Sequence, residues 1–217
     1  MASKRVQAKT KAPTAAGNAK MQSKTQQQRR DETSAAVLES ACKLFGENGY
    51  QKTSLEDIAK DCGTTIRPIY HYYSNKKNLF LAVVEAKEAE LFEAMLALEA
   101  DAQVEANPVP VSVYWKTFMA FGRDAGFRQV VLVDSPAILG RERWAATPIL
   151  HKAIDFFYGL YPVLQETSRQ LIARMLVAAL VEAAMVLSEA GEAEGEPAFD
   201  DIFALFDLMS PSHYSKP

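Results

Sequence analysis

Apolar side chains recur at intervals of three and four residues along most of the chain, the spacing that lines one face of an α-helix. From residue 31 onward this spacing predicts a first helix that ends near Asn48, between Gly46 and Gly49. Its N-cap is expected among three polar residues: Asp31, Thr33 and Ser34. Its inward face is expected to carry Val37, Leu38, Ala41, Leu44 and Phe45.

Three more helices are predicted directly after the first. Thr53-Ser54 has the residue types of an N-cap for a short second helix, which Gly63 ends. Thr64-Thr65 marks the start of a third short helix, and Ser74-Asn75 that of a long fourth one. The four helices therefore follow each other with very short connections.

The remainder of the chain continues the helical spacing. No stretch alternates between apolar and polar residues as a half-buried β-strand would. We therefore predict an all-α fold. The later helices are expected near Val111–Arg123, Gly126–Leu139, Ala146–Leu164, Ser168–Ala190 and Pro197–Met209.

Charge divides the chain into three regions. Residues 1–30 contain eight Lys or Arg and no acid, residues 31–80 have a net charge of −1, and residues 81–217 one of −10. The total of −3 therefore conceals a basic arm. Because the arm has almost nothing to bury, residues 1–30 are expected to be disordered. Two interpretations stay open: the arm adds affinity for DNA, or it is an inert tail, since Met21 is a second possible initiator.

The second and third helices, joined by a tight turn at Gly63 and braced by the first, have the form of a helix-turn-helix. The second helix of such a motif lies at the surface, where it reaches base edges and phosphates. The side chains expected there are hydrogen-bonding groups and one guanidinium: Thr64, Thr65, Arg67, His71 and Tyr72. For His71 a solvated side chain without a DNA contact is an equal alternative.

About fifty residues around this motif match a known pattern. The matching positions are Val37–Ala41, Leu44-Phe45, Gly49-Tyr50, Thr53–Leu55, Ile58-Ala59, Gly63, Thr65, Ile69-Tyr70, Tyr72-Tyr73, Asn75-Lys76 and Leu79. In these positions the chain resembles the TetR-type transcriptional regulators. A weaker match covers Asp134–Gly140 and Arg143-Trp144.

The resemblance implies a DNA-binding role for each matching polar position. Thr53 and Ser54 would contact phosphates, and Lys76 would clamp the DNA backbone at the start of the fourth helix. Arg67 is the best candidate for a bidentate guanine contact, worth about 1–3 kcal/mol of discrimination. Thr65 and Pro68 would face the groove beside Arg67. Phosphates or base edges would be contacted by Tyr70 and Tyr72.

The resemblance also implies a division into domains. Residues 31–78 would form the helix-turn-helix domain, residues 79–210 a larger ligand-binding and dimerisation domain, and residues 211–217 a tail. Leu171–Leu187 is apolar nearly all round, so both its faces should be covered. In the family the last two helices pack against their copies in a homodimer; an intramolecular core is the alternative. The expected interface is Leu171, Met175, Ala179, Glu182, Met185, Phe199, Phe203 and Phe206.

The larger domain is expected to hold a small effector, again from the resemblance. Its many aromatic residues favour an apolar or aromatic compound. Such residues at helical spacing also form ordinary core, and that alternative stays open. The candidate ligand contacts are Trp115, Phe118, Met119, Phe121, Phe127, Trp144, Phe157 and Tyr158.

The function predicted from these observations is a cytoplasmic, ligand-responsive repressor that binds a palindromic operator in double-stranded DNA. An activator, or a helical protein-interaction module with weak DNA binding, is the alternative. An enzyme is not expected, because the chain has no P-loop, dinucleotide-binding glycine pattern or HExxH motif. No cofactor or metal is expected either. Membrane insertion is not expected, because Arg174 and Glu182 interrupt the longest apolar stretch.

Overall fold

The computed structural model describes residues 25–100, 111–160 and 164–190, together with residues 201 and 204. All regular structure in these ranges is helical, which confirms the predicted all-α class. The helices are α1 (Gln26–Lys52), α2 (Leu55–Asp61), α3 (Ile66–Tyr73), α4 (Lys76–Ala100), α5 (Val111–Arg123), α6 (Ala125–Phe127), a π-helical segment (Arg128–Asp134), α7 (Ser135–Leu139), a 3-10 helix (Arg141–Ala146), α8 (Pro148–Leu160) and α9 (Glu166–Ala190).

Helix α1 begins earlier than the sequence pattern predicted. Its N-cap is Thr25, whose hydroxyl accepts from the Gln28 backbone N–H at 3.2 Å, while the Gln28 side chain accepts from the Thr25 N–H at 2.8 Å. The predicted caps near residue 31 are therefore wrong, as is the predicted disorder for residues 25–30. Gln and Arg favour helix, and this first part of α1 is exposed, so no apolar periodicity marked it. Residues 1–24 of the arm lie outside the described residues.

Helices α1, α2 and α3 and the start of α4 form a small head around a common core. Leu55, Ile58 and Ala59 of α2 are all buried, while Leu38 and Leu44, predicted to face inward from the first helix, are half-buried. The core of the head consists of Val37, Ala41, Phe45, Leu55, Ile58, Ala59, Ile69, Leu79 and Phe80. This packing leaves one side of α3 exposed.

Helix α4 continues from the head into the second part of the molecule. There it contacts α5, α7 and the π-helical segment, while α5 and α8 pack on α9. The predicted helix at residues 126–139 is divided into α6, the π-helical segment and α7. The helix predicted near residues 146–164 is shorter and spans Pro148–Leu160.

A buried ion pair joins α4 to the 3-10 helix. The Arg143 guanidinium donates to both Glu88 carboxylate oxygens at 2.6 Å, and the Glu88 side chain is only 5% exposed. This bidentate pairing raises the pKa of Arg143. The pair fixes the chain that follows α7 against the middle of α4.

Helix α9 is covered on one face only. Ala173, Val177 and Ala184 are buried, but Leu171, Met175 and Val186 are more than half exposed. In the described part of the single chain, α5 and α8 pack on α9 and leave Leu171, Met175 and Val186 exposed, so the expectation that both faces are covered depends on the predicted second copy.

By length and composition, residues 166–187 of α9 are the one membrane-span candidate in the described part of the chain. This is weak support for a span, because a helix that packs against protein passes the same test. Here α9 packs against α5 and α8, and its exposed residues include Arg174 and Glu182.

Candidate nucleic-acid interface

The turn between α2 and α3 sets the orientation of α3. Gly63 adopts a left-handed conformation with φ of 67°, which favours glycine. The Cys62 N–H donates to the Ile58 carbonyl at 3.1 Å, and the Thr64 N–H donates to the Ala59 carbonyl at 2.9 Å. These bonds end α2 and direct the chain into α3, as the sequence pattern predicted.

Helix α3 buries one side and exposes the other. Ile69 is fully buried, and the Tyr73 hydroxyl donates to the Ser34 carbonyl of α1 at 3.2 Å, which fixes the end of the helix. Of the seven predicted contact residues on α3 and its N-terminal turn, Thr65, Arg67, Tyr70 and His71 are exposed, and Thr64, Pro68 and Tyr72 are half-buried. The structure thus presents a polar, aromatic face with one guanidinium.

A hollow of about 360 Å³ lies beside α3, between the starts of α2 and α4. Four of the predicted DNA contacts, Thr53, Ser54, Tyr70 and Lys76, are among its walls. The sequence patterns did not identify most of the other lining residues as contacts, because they have no motif of their own. The full lining is Gln51, Lys52, Thr53, Ser54, Leu55, Glu56, Tyr70, Asn75 and Lys76.

Ser54 is the N-cap of α2. Its hydroxyl accepts from the Asp57 N–H at 3.0 Å, and the Asp57 carboxylate accepts from the Ser54 N–H at 3.1 Å. The Ser54 hydroxyl also donates to this carboxylate at 2.5 Å, and this bond, followed by the one from the Ser54 N–H, lowers the pKa of Asp57. Ser54 is half-buried in the hollow, at the start of α2, whose first turn also carries Glu56 and Asp57.

Thr53 does not have the role predicted for it. Its side chain is buried, and its hydroxyl bonds to the carbonyls of Gly49 at 2.9 Å and Leu44 at 3.0 Å. A hydroxyl that is turned inward in this way cannot contact a phosphate. Thr53 instead ties the start of α2 to the end of α1.

Lys76 stands at the first position of α4, on the wall of the hollow. Its ammonium lies 4.2 Å from the centre of the Tyr50 ring, in a cation–π contact. Partial burial lowers the pKa of Lys76, and attraction from Asp134 opposes that shift. Asn75 precedes it as the predicted cap and accepts from the Asn78 N–H at 2.8 Å.

Comparisons with known proteins agree with this arrangement. Residues 37–83, which contain α2, α3 and the start of α4, match the family model of bacterial regulatory proteins of the tetR family. The HTH-type transcriptional regulator AcrR of Shigella flexneri is 30% identical over 153 residues, which is 70% of this chain and 62% of AcrR. The chain thus spans less than two thirds of the length of that curated relative.

A solved structure extends the likeness beyond the head. A TetR-family transcriptional regulator from Pectobacterium atrosepticum superposes with a TM-score of 0.66 at 25% identity, over 89% of this chain and 100% of that one. The chain belongs to the TetR family. Members of the family are transcriptional regulators and not enzymes, in agreement with the sequence. The HTH-type transcriptional repressor AcnR of Corynebacterium diphtheriae is 32% identical over 59 residues, which is 27% of this chain and 31% of AcnR.

In the part of this TetR-family chain that follows the head, from residue 81 onward, the predicted ligand contacts divide into two groups. Trp115, Phe118, Met119 and Phe127 are buried in the main core, and Phe121 is packed against it. Each therefore packs against protein, and a ligand contact at these residues stays a prediction. The side chains of Trp144, Phe157 and Tyr158 lie outside the described residues.

The predicted dimer contacts of the TetR-family chain are described only on α9. Leu171, Met175, Ala179 and Glu182 are exposed and Met185 is half-buried. Phe199, Phe203 and Phe206 lie outside the described residues, although Asp201 and Ala204 between them are helical.

Metal-binding and thiol chemistry find little support in the described ranges of this TetR-family chain. No group of three His, Cys, Asp or Glu side chains occurs there with the spacing of a metal site. Cys42 and Cys62 are free, and burial raises the pKa of the Cys42 thiol, which makes it less reactive.

Proposed function

We propose that this chain binds double-stranded operator DNA through α3 and the adjacent hollow. The observation that supports this most is the exposure of Arg67, Tyr70 and His71 on one side of α3, and of Thr65 at its N-cap, next to a hollow lined by Ser54 and Lys76. Donors of this kind suit the major-groove edges of bases, and an ammonium beside a helix N-terminus suits a phosphate. In this arrangement Arg67 reads bases, whereas Lys76 and Ser54 position the backbone.

The proposed active form is a homodimer that binds a palindromic site. A single helix-turn-helix reads few base pairs, so specificity requires two heads at a fixed spacing. Leu171, Met175, Ala179 and Val186 give α9 an apolar exposed face that a second copy would cover. A twofold axis through this face would place each copy of α9 against the other.

The proposed regulatory mode is repression relieved by a small apolar or aromatic effector in the cytoplasm. AcnR, the relative described above, is named a repressor. An effector that prefers a different spacing of the two heads lowers DNA affinity by its differential affinity for the two states. Helix α4 is the proposed link, because it begins at the hollow and extends into the second part of the molecule.

A mobility-shift assay tests the proposal. The DNA probe is a 30-bp duplex selected on the wild-type protein from random sequence, and we expect binding that weakens as salt rises. Lys116→Ala, an exposed substitution on α5, serves as a control that retains binding. Failure of the wild-type protein to retain any duplex at low salt would overturn the proposed function.

The effector is tested separately with indole and naphthalene as probes. A probe that raises the melting temperature of the free protein should weaken its DNA binding, because binding free energies at coupled sites are reciprocal. A probe that stabilises the protein without changing its DNA affinity would contradict this mode of regulation.

A further inference from the structure

Asp134 lies in the second part of the molecule but contacts the head. It is the last residue of the π-helical segment, and its carboxylate accepts from the Tyr50 backbone N–H at 2.7 Å. The two residues are 84 positions apart in the chain. Because the bond is partly buried, breaking it would leave the Tyr50 N–H without an acceptor that water can readily replace.

The chain around Tyr50 fits closely against the π-helical segment. Gly49 has φ of 77°, and a Cβ at this position would lie 3.1 Å from the Gln129 side-chain nitrogen and 3.4 Å from the Asp134 carboxylate. On the other side, the Thr53 hydroxyl donates to the Gly49 carbonyl at 2.9 Å. The Gly49–Tyr50 turn, a kink near the end of α1 where Gly49 is not helical, is thus held between the π-helical segment and the start of α2.

The Tyr50 ring connects this turn to the proposed DNA site. It packs with its centre 4.9 Å from that of Phe80 and 5.8 Å from that of Phe45. The Lys76 ammonium lies 4.2 Å above the same ring and borders the hollow. A displacement of the turn would therefore move the surface on which Lys76 rests.

We propose that Asp134 is a positioning residue for DNA binding: its hydrogen bond to Tyr50 holds the Gly49–Tyr50 turn, and the turn places the Tyr50 ring under Lys76 at the phosphate-facing hollow. This inference rests on the proposed function. It gives the π-helical segment a contact to the DNA site that does not pass along α4. Toward Tyr50 the carboxylate acts as a hydrogen-bond acceptor, a role that an amide oxygen at the same place can fill, although the amide lacks the charge that attracts Lys76.

The test compares Asp134→Ala with Asp134→Asn on the selected 30-bp duplex over a range of salt concentrations. Asp134→Ala should bind about tenfold more weakly, and its log–log salt slope should fall by about 0.9, the contribution of one phosphate contact. Asp134→Asn should stay within about twofold of wild type, because its side-chain oxygen still accepts from Tyr50. Asp155→Ala, an exposed acid on α8, is the matched control and should bind as wild type does.

A second set of variants separates positioning from loss of stability. In a Lys76→Met background, Asp134→Ala should reduce DNA affinity by less than about twofold, because the contact that it positions is already gone. Tyr50→Leu keeps the N–H and removes the ring, and it should reproduce the smaller salt slope of Asp134→Ala. If Asp134→Ala does not fold, Tyr50→Leu and Asp134→Asn decide the question.

Several results would overturn the inference. One is a folded Asp134→Ala variant with the wild-type salt slope, and another is an equal loss in the Lys76→Met background. A Tyr50→Leu slope equal to wild type, or an Asp134→Asn variant as weak as Asp134→Ala, would do the same. A wild-type protein that binds no duplex would instead refute the proposed function, and the two failures are thereby distinguishable.

Discussion

The exposed faces of α3 and α9 differ in chemistry although both are open to solvent. The α3 face presents hydroxyls, a guanidinium and an imidazole from Thr65, Arg67, Tyr70 and His71. Between residues 171 and 186, the exposed side of α9 presents mainly Leu, Met, Ala and Val side chains, with one Arg and one Glu among them. Exposed polar groups suit a hydrated, charged partner such as DNA, whereas an exposed apolar stripe suits burial against protein. The two faces are therefore expected to respond to opposite kinds of substitution.

The largest expected effect comes from the ion pair between Arg143 and Glu88, which stabilises the interior of the molecule and belongs to neither exposed face. Arg143→Met leaves the Glu88 carboxylate buried without its partner and should lower the free energy of unfolding by about 3–5 kcal/mol, measured by urea denaturation. The control is the double variant Glu88→Leu/Arg143→Met, which removes both charges and should recover most of the loss. Equal losses in the single and double variants would show that packing, not charge, is responsible.

A charge introduced on the exposed side of α9 should distinguish the roles of the two faces most directly. Met175→Glu would place a carboxylate in the proposed dimer interface and should give a monomer in sedimentation velocity. Affinity for the selected duplex should fall by about 100-fold, since one head then binds alone. Ala120→Glu, at an exposed position of α5, is the matched control and should remain a dimer. A dimer that persists in Met175→Glu would place the interface elsewhere.

Substitutions on the α3 side should change the mode of DNA binding and leave the dimer intact. Arg67→Ala should lose about 1–3 kcal/mol of preference between the selected duplex and a mismatched one, by competition mobility shift. Lys76→Ala should weaken both duplexes alike and reduce the salt slope by about 1. Identical effects of the two substitutions on matched and mismatched DNA would contradict the assignment of a base contact and a phosphate contact.

The smallest expected effect concerns the arm. Deletion of residues 1–24 removes six cations and keeps the Thr25 cap of α1. The salt slope should fall by up to about 0.9 for each cation that contacts DNA, with little change in the preferred sequence. A full-length chain with the six Lys and Arg changed to Gln is the control for chain length. An unchanged slope in both would show that the arm takes no part in binding.

Local patterns predicted the elements well where an apolar face or a tight turn marked them. The predicted bounds of α5 agree with the structure, and the turn at Gly63 lies where the sequence placed it. The exposed first turns of α1 had no apolar face to reveal them. The inward orientation of the Thr53 hydroxyl could not be predicted from sequence, because threonine serves both as a helix cap and as a buried hydrogen-bond donor.

The contacts that the sequence did not reveal join distant parts of the chain. Asp134 meets Tyr50 across 84 residues, and Arg143 meets Glu88 across 55. Such pairs depend on the packing of whole helices, which periodicity within one helix does not specify. Within the site, Ser54 and Lys76 were identified by position, but the Tyr50 ring beneath Lys76 was not.

The π-helical segment has a consequence for insertions and deletions. Its widened turns accommodate residues beyond the regular α-helical count, and the Ser135 N–H accordingly bonds to the Val130 carbonyl, five residues back. Deleting one residue there, such as the exposed Val133, would let an ordinary α-helix form. Each residue in an α-helix advances the chain by about 100°. This rotation of the residues after the deletion would leave most of the core composition intact but redirect the Asp134 carboxylate. Relatives that are one residue shorter here would therefore need another acceptor for the Tyr50 N–H.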